Sequence, residues 1–478
     1  MNSETKYLWK VWVAAFMYTC VVSAFVQFIL LPFILPRYHA GDGMFRGVPD
    51  NVGFHLIAAD LAAKIKTSGW GVWSLSPGKQ APIGVASFIY ALTWSKPWVL
   101  IPLNAAMHAS AFLILFRLLS LFVQNKKNTI LCALPFLMLP SSLQWTAQLG
   151  KDGFSILGVL LILQGLVSLS RLENYKSGNW FLINMRSIIA FFCGFILIRL
   201  VRPTMLRIIQ PVLVIIFSLI IAVFLINAFK KAISWQKLLI VLLSSLLMFY
   251  MFSHEGVNYG LKEIDQVVPV SKGDKKPEGY EAKAPEIAQP KAEALKLQDK
   301  KIKNTDIEYH WIKLAWFPLF IENKIYSLAM ARRGFRITSP EAGTNIDKHI
   351  GFNSIKSIFL YLPRAAQIAF LAPFPNYWFS EGRTAATSLM RKISALEMVI
   401  AYFTLFFLFY AVWYWRKHIE IWVISIFCIS SMLIYGLVVC NIGTLYRMRY
   451  PFITALMALG IAGFLVLLER INIRKDSC

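Results

Sequence analysis

The sequence predicts an all-α polytopic membrane protein with about ten transmembrane helices and two long extracytoplasmic loops. Three observations carry that prediction. Of the 478 residues, 57% are hydrophobic and 15% charged, where a soluble domain carries about a quarter charged. The apolar residues gather in uninterrupted stretches of roughly 18 to 25, each long enough to cross a hydrocarbon core of about 30 Å as a helix. Basic residues outnumber acidic ones, 49 to 25, and concentrate in short connections, the positive-inside pattern. That pattern, with attraction to anionic lipid, accounts for the net charge of +24 without nucleic acid.

In chain order the apolar stretches cover residues 9–35, 98–123, 129–147, 153–170, 181–200, 205–228, 237–253, 394–415, 419–441 and 450–468. The N-terminal MNSETKYLWKVW runs into the first of them without a small-residue cleavage site, so a retained span is expected and not a signal peptide. Lys6, Lys10, Lys126, Lys127, Arg171, Lys176, Lys230, Lys231, Lys237, Arg416, Lys417, Arg470, Arg474 and Lys475 then all fall on one side. Both termini are expected in the cytoplasm. Cys20, Cys132, Cys193, Cys428 and Cys440 lie within or at the ends of apolar segments and Cys478 is terminal, the placement of free thiols, and no Cys/His spacing suits zinc.

The opposite side receives residues 36–97 and 254–393. Within the first, FHLIAADLAAKIKTSGW has apolar residues at helical spacing and GVASFIYALTW is too short to span, so two helices on the membrane surface are expected. Residues 262–306, rich in Lys, Glu, Pro and Ala, read as a linker. Residues 307–378 hold Trp311, Trp316, Tyr377, Trp378 and the stretch SIFLYLPRAAQIAFLAPF, which either packs on the membrane surface or re-enters it. The chain thus divides into a transmembrane module (1–253), a large loop (254–393) and C-terminal spans (394–478).

Polar residues that break the charge rule are the functional candidates. The fifth stretch closes with IRLVRPTMLR and the ninth-to-tenth connection is NIGTLYRMRYP, which puts Arg199, Arg202 and Arg207 at one outer corner and Arg447 and Arg449 at another. Arg199 and Arg202, three apart, share a helical face on which two guanidiniums can converge on one anion. Snorkelling to lipid phosphates is the alternative. Carboxylates are scarce near the membrane. Asp42 and Asp50 lie in YHAGDGMFRGVPDNVGFH, just beyond the first span, and Asp152 lies in QLGKDGF, beside Lys151, in a short outward turn. Such a carboxylate is costly unless it meets water or a cation. Asp42 shaping a turn and Asp152 capping a helix are the structural alternatives.

An early outward Asp paired with another in the second outward turn resembles the GT-C superfamily of membrane glycosyltransferases, which includes protein O-mannosyltransferases and lipid A aminoarabinose transferases. The likeness covers about residues 1–253 and departs from the best-known members in lacking an acidic pair, since Gly43 follows Asp42. It implies transfer, with inversion, of a sugar from a polyprenyl-phosphate-linked donor to a glycan or lipid acceptor on the extracytoplasmic face of a bacterial inner membrane. Asp42, Asp50 or Asp152 would be the base, and Lys151, Arg199, Arg202, Arg207, Arg447 and Arg449 would hold the phosphate. A departing phosphate needs cations and an acceptor hydroxyl needs a carboxylate, so the residue types suit the chemistry. Arg332, Arg333 and Arg336, with Arg447 and Arg449, also resemble the outward arginines of Wzy-like O-antigen polymerases and ligases, which use undecaprenyl diphosphate oligosaccharides. A lipid-linked glycan transporter or flippase is the alternative of another class, disfavoured by the few charges within the spans. No carboxylate cluster has metal-ligand spacing, so no cofactor is assigned and a divalent ion stays open.

Overall fold

The computed structural model describes residues 3–47, 49–171, 180–230, 311–314, 316–338 and 343–476. The regular elements are helices, and among the described residues the only β pairing is in isolated bridges. α1 (Ser3–Phe25) runs on into a wider π-helical segment, Val26–Ile34, which contains Pro32, a residue that cannot donate to the helical ladder. α2 (Pro49–Ser68) and α3 (Ala81–Leu92) follow as a packed pair, then α4 (Ile101–Leu119), α5 (Lys126–Met138) and α6 (Pro140–Thr146). α7 (Asp152–Ser170), α8 (Trp180–Val201) and α9 (Pro203–Lys230) complete the first half. The second half comprises α10 (Leu319–Thr338), α11 (Ile355–Leu371), α12 (Pro375–Trp378), α13 (Ala385–Tyr414), α14 (Ile419–Val438) and α15 (Ile442–Asp476).

Seven helices among the described residues are long and apolar enough to cross a membrane: α1 with its extension, α4 with the turn before it, α7, α9, α13, α14 and α15. The protein is therefore an all-helical integral membrane protein. The expected count of ten is not confirmed among the described residues: the stretch expected at 181–200 forms α8, which is not among the seven. Residues 237–253 and the linker 262–306 lie outside the described residues, and the expected single span at 129–147 is two helices, α5 and α6, bent by 63°. The bend has a local cause. Leu139 precedes Pro140 and adopts an extended conformation (ψ 129°), as the proline ring disfavours the helical region for its predecessor. The stretch SIFLYLPRAAQIAFLAPF forms α11, whose buried Ala365 and Ala369 press on α14 at Gly436.

Small residues set the helix crossings that matter for the site. A side chain at Gly158 of α7 would meet Ile198 Cγ1 at 2.7 Å and the Gly194 carbonyl of α8 at 2.9 Å, so the two backbones touch there. α15 crosses α13 in the same way at Gly463, where a Cβ would lie 2.8 Å from the Phe407 carbonyl. With these crossings fixed, the beginning of α7, the end of α8 and the beginning of α15 emerge together at one end of the bundle.

At the other end, Arg171 Nε lies 3.0 Å from Glu420 Oε1 and Asn128 Nδ2 donates to Glu469 Oε1 at 3.1 Å. The basic connections at 126–127, 171 and 416–417 thus share that end. The described part of the second long segment joins the first opposite it: Ile346 N donates to the Cys440 carbonyl and Ile442 N to the Thr344 carbonyl.

Candidate functional site

Asp152 is the first residue of α7 and is 2% exposed. It does not cap the helix, because its carboxylate is used elsewhere. Arg202 Nη2 lies 2.5 Å from Oδ1, and Arg447 places Nη2 2.7 Å from Oδ2 and Nε 3.2 Å from the same oxygen. Arg202 stands in the break between α8 and α9, before Pro203, and Arg447 sits near the start of α15. Three separate helix ends therefore contribute to one charge cluster. A buried carboxylate is tolerated here because both oxygens accept charge-assisted hydrogen bonds.

The cluster forms the wall of a cavity of about 520 Å³. Lys79, Lys151, Arg202 and Arg447 supply positive charge, Asp50 is a carboxylate in the same lining, and Phe54, Val201 and Met448 are apolar. Arg447 is partly open to it, with 26% of its side chain exposed. Burial, and then Arg202, push the Lys151 ammonium below the usual lysine value, while Asp50 pulls it back. Asp50 is exposed in the first turn of α2 and has no ion-pair partner within 4 Å among the described residues. Gly78 and Lys79 both have positive φ, 54° and 61°, in the loop that brings Lys79 to the mouth of the cavity.

Asp42 is held apart from that cavity. Gly41, Asp42 and Gly43 all have positive φ (96°, 49° and 72°), a turn possible because glycine flanks the aspartate. Gly43 is also required for space, since a Cβ there would lie 2.7 Å from Gln27 Cβ. Gln148 anchors the turn, donating to the Gly43 carbonyl at 3.1 Å and accepting from Phe45 N at 2.9 Å. Asp42 Oδ1 accepts from Lys96 Nζ at 2.8 Å, and Oδ2 lies 3.8 Å from His55 Nε2. His55 Nδ1 meets the Tyr90 hydroxyl at 3.0 Å. The aspartate thus ties its turn to α2 through His55 and to the segment after α3 through Lys96.

Of the residues singled out in the sequence, Asp50, Lys151, Arg202 and Arg447 line the cavity and Asp152 lies directly behind it. Arg199, exposed on α8, and Arg207, in α9, do not line it. Arg449 is 1% exposed and points away, donating to the carbonyls of Ile368, Ala369 and Ala372 at the end of α11. It neutralises the negative pole of a helix, a role for which an arginine near a C-terminus is suited. Arg332 is likewise 1% exposed and donates to the carbonyls of Ile350, Asp347 and Leu437.

Glu397 was not anticipated. Buried in α13 at 2% exposure, it accepts from Ser141 N at 2.7 Å, Ser141 Oγ at 2.6 Å and the Tyr446 hydroxyl. It ties the bent α5–α6 pair to α15 next to Arg447. A lone Glu in an otherwise apolar stretch was the available signal. Among the described residues no group of three or more His, Cys, Asp and Glu side chains comes together to hold a metal ion. Comparison with protein-family models, curated proteins and solved structures finds no match to this chain.

Proposed function

We propose that this protein is an inverting membrane glycosyltransferase that moves a sugar from a polyprenyl-phosphate-linked donor to a glycan or lipid acceptor on the extracytoplasmic face, in cell-surface polysaccharide assembly. One observation carries the reading: a cavity at the end of the bundle opposite the basic connections holds converging cations and a carboxylate without an ion-pair partner among the described residues. The donor phosphate lies against Arg447, Arg202 and Lys151, with its lipid chain toward Val201 and Met448. The acceptor oxygen attacks the anomeric carbon as the carbon–oxygen bond to phosphate breaks. The leaving phosphate keeps that electron pair, and Asp50 takes the acceptor's proton. Asp152 is a positioning residue, since both its oxygens are committed to guanidiniums. Asp42 is a structural tie.

The Wzy-like polymerase reading draws less support, because Arg332 is committed to main-chain carbonyls and Arg336 Nε donates to the Lys348 carbonyl at 2.6 Å. The test is transfer of labelled sugar by purified protein in liposomes, from polyprenyl phosphate and diphosphate donors in parallel. Transfer from the phosphate donor, reduced in a folded Arg447→Lys protein, is the expected result. A wild-type protein that binds and turns over neither donor overturns the reading.

A further inference from the structure

The end of the bundle that gathers the basic connections holds a second cavity, of about 450 Å³, within the range of small-molecule sites. It opens between the first turns of α1, the last turns of α4 and α7, and the beginning of α5. Arg117, Lys126 and Arg171 reach it from three different helices, against the single carboxylate Glu4. Two of these cations are held in place. Arg171 is braced by Glu420 at 3.0 Å, and Lys126 Nζ lies 4.4 Å from the centre of the Tyr7 ring. Arg117 has no ion-pair partner within 4 Å among the described residues. The N-terminus of α5, a helix of 13 residues, faces the same space through Lys126 and Thr129. Asn125 accepts from the amide of Lys127, which leaves other first-turn amides free of helical partners. Converging cations and a helix N-terminus form an anion site, and the anion they suit is a phosphate.

The apolar part of the wall decides which phosphate. Leu8, Phe116, Leu121 and Val167 line the cavity beside the cations. Directly after the lining residues Tyr7 and Leu8 in the chain, a ladder of stacked rings, Trp9 on Trp12 and Trp12 on Phe16, each pair 5.2 Å apart, runs along α1. Trp9 is 57% exposed. A free phosphate would gain nothing from that surface, whereas an acyl chain would lie along it. We infer that the cavity between α1, α4, α5 and α7 binds the head group of an anionic phospholipid, with phosphate against Arg117, Lys126 and Arg171 and one chain beside the Trp9–Trp12–Phe16 ladder. The site is separate from the outward cavity and is independent of the sugar-transfer reading. Basic pockets between helix ends at the side favoured by positive charge are the setting in which such lipids are retained.

Native mass spectrometry of the purified full-length protein, titrated with phosphatidylglycerol or phosphatidylcholine, reads the site directly. Wild type should bind one phosphatidylglycerol at least about tenfold more tightly than phosphatidylcholine, a ratio set by the charge-assisted contacts. Arg117→Gln with Lys126→Gln should abolish that preference, while Arg117→Lys alone should keep most of it. Equal binding of the two lipids, or an unchanged preference in the glutamine double variant, overturns the inference. Competition with inorganic phosphate and glycerol phosphate separates the sources: displacement of the lipid by either at millimolar concentration would mean a soluble phosphate ligand and also overturns it. If the double variant does not fold, the single Lys126→Gln protein replaces it, with the same preference as readout.

Discussion

Arg447 grips Asp152 side-on, with Nη2 and Nε both directed at Oδ2 at 2.7 and 3.2 Å, while Arg202 takes the other oxygen. Both oxygens of the carboxylate accept from guanidiniums, Nε of Arg447 also lying 3.3 Å from Oδ1. Its consequence is mechanical and electrostatic: two guanidiniums that would repel each other are held side by side at one wall.

Removing that carboxylate should therefore unfold the site before it disables chemistry. Asp152→Asn leaves the buried Arg202 guanidinium and the partly exposed Arg447 guanidinium partly unpaired, and breaking a buried pair costs about 3 to 5 kcal/mol. Thermal unfolding in detergent should show a large drop. Replacing the whole cluster, Asp152→Leu with Arg202→Met and Arg447→Met, should recover much of the stability while donor binding stays lost. A triple variant as unstable as the single one would contradict this account of the cluster.

Asp50 and Asp42 separate by the same kind of substitution. Asp50→Asn should lower sugar transfer by a factor of about 10² to 10⁴, with donor binding retained. Asn tolerates the left-handed conformation of residue 42. The Lys96 pair lost in Asp42→Asn is half-exposed and worth less than about 1 kcal/mol. Transfer by that variant should stay near wild type. The reverse pattern would make Asp42 the base.

His55 gives a pH signature that is independent of activity. Burial pushes its pKa down, opposed by Asp42 at 3.8 Å, with Lys96 adding to the lowering. The unfolded chain then holds this proton more tightly than the folded protein. Stability should be full above about pH 6.5, the unfolded value, and fall as pH drops from there toward the lower folded value. Unfolding measured from pH 7 to 5 should show this limb in wild type and a flatter one in His55→Gln.

Topology is testable with reporter fusions. Fusions at positions 60 and 290 should report the extracytoplasmic side and those at 175 and 417 the cytoplasm, in keeping with the basic connections. Cytoplasmic signals at both 60 and 290 would defeat the assignment of the outward cavity.

The helical membrane character of this protein was determined by composition and by the lengths of its apolar stretches, because a backbone in hydrocarbon must satisfy its own hydrogen bonds. The partnership of Asp152 with arginines was half legible, since a carboxylate near the membrane demands a cation. Which arginines answer it was not. Arg447 and Arg449 are two residues apart, yet one faces Asp152 and the other closes the end of α11. Residues two apart on a helix point to different sides, and only the crossings at Gly158 and Gly463 decide which side meets which neighbour. The 63° bend was written in Leu139–Pro140 and could have been read there. That Asp50 shares a cavity with the cations while Asp42 is tied to Lys96 was decided by tertiary packing, because it depends on how α2 is rotated against α3 and on where Gln148 pins the glycine-flanked turn.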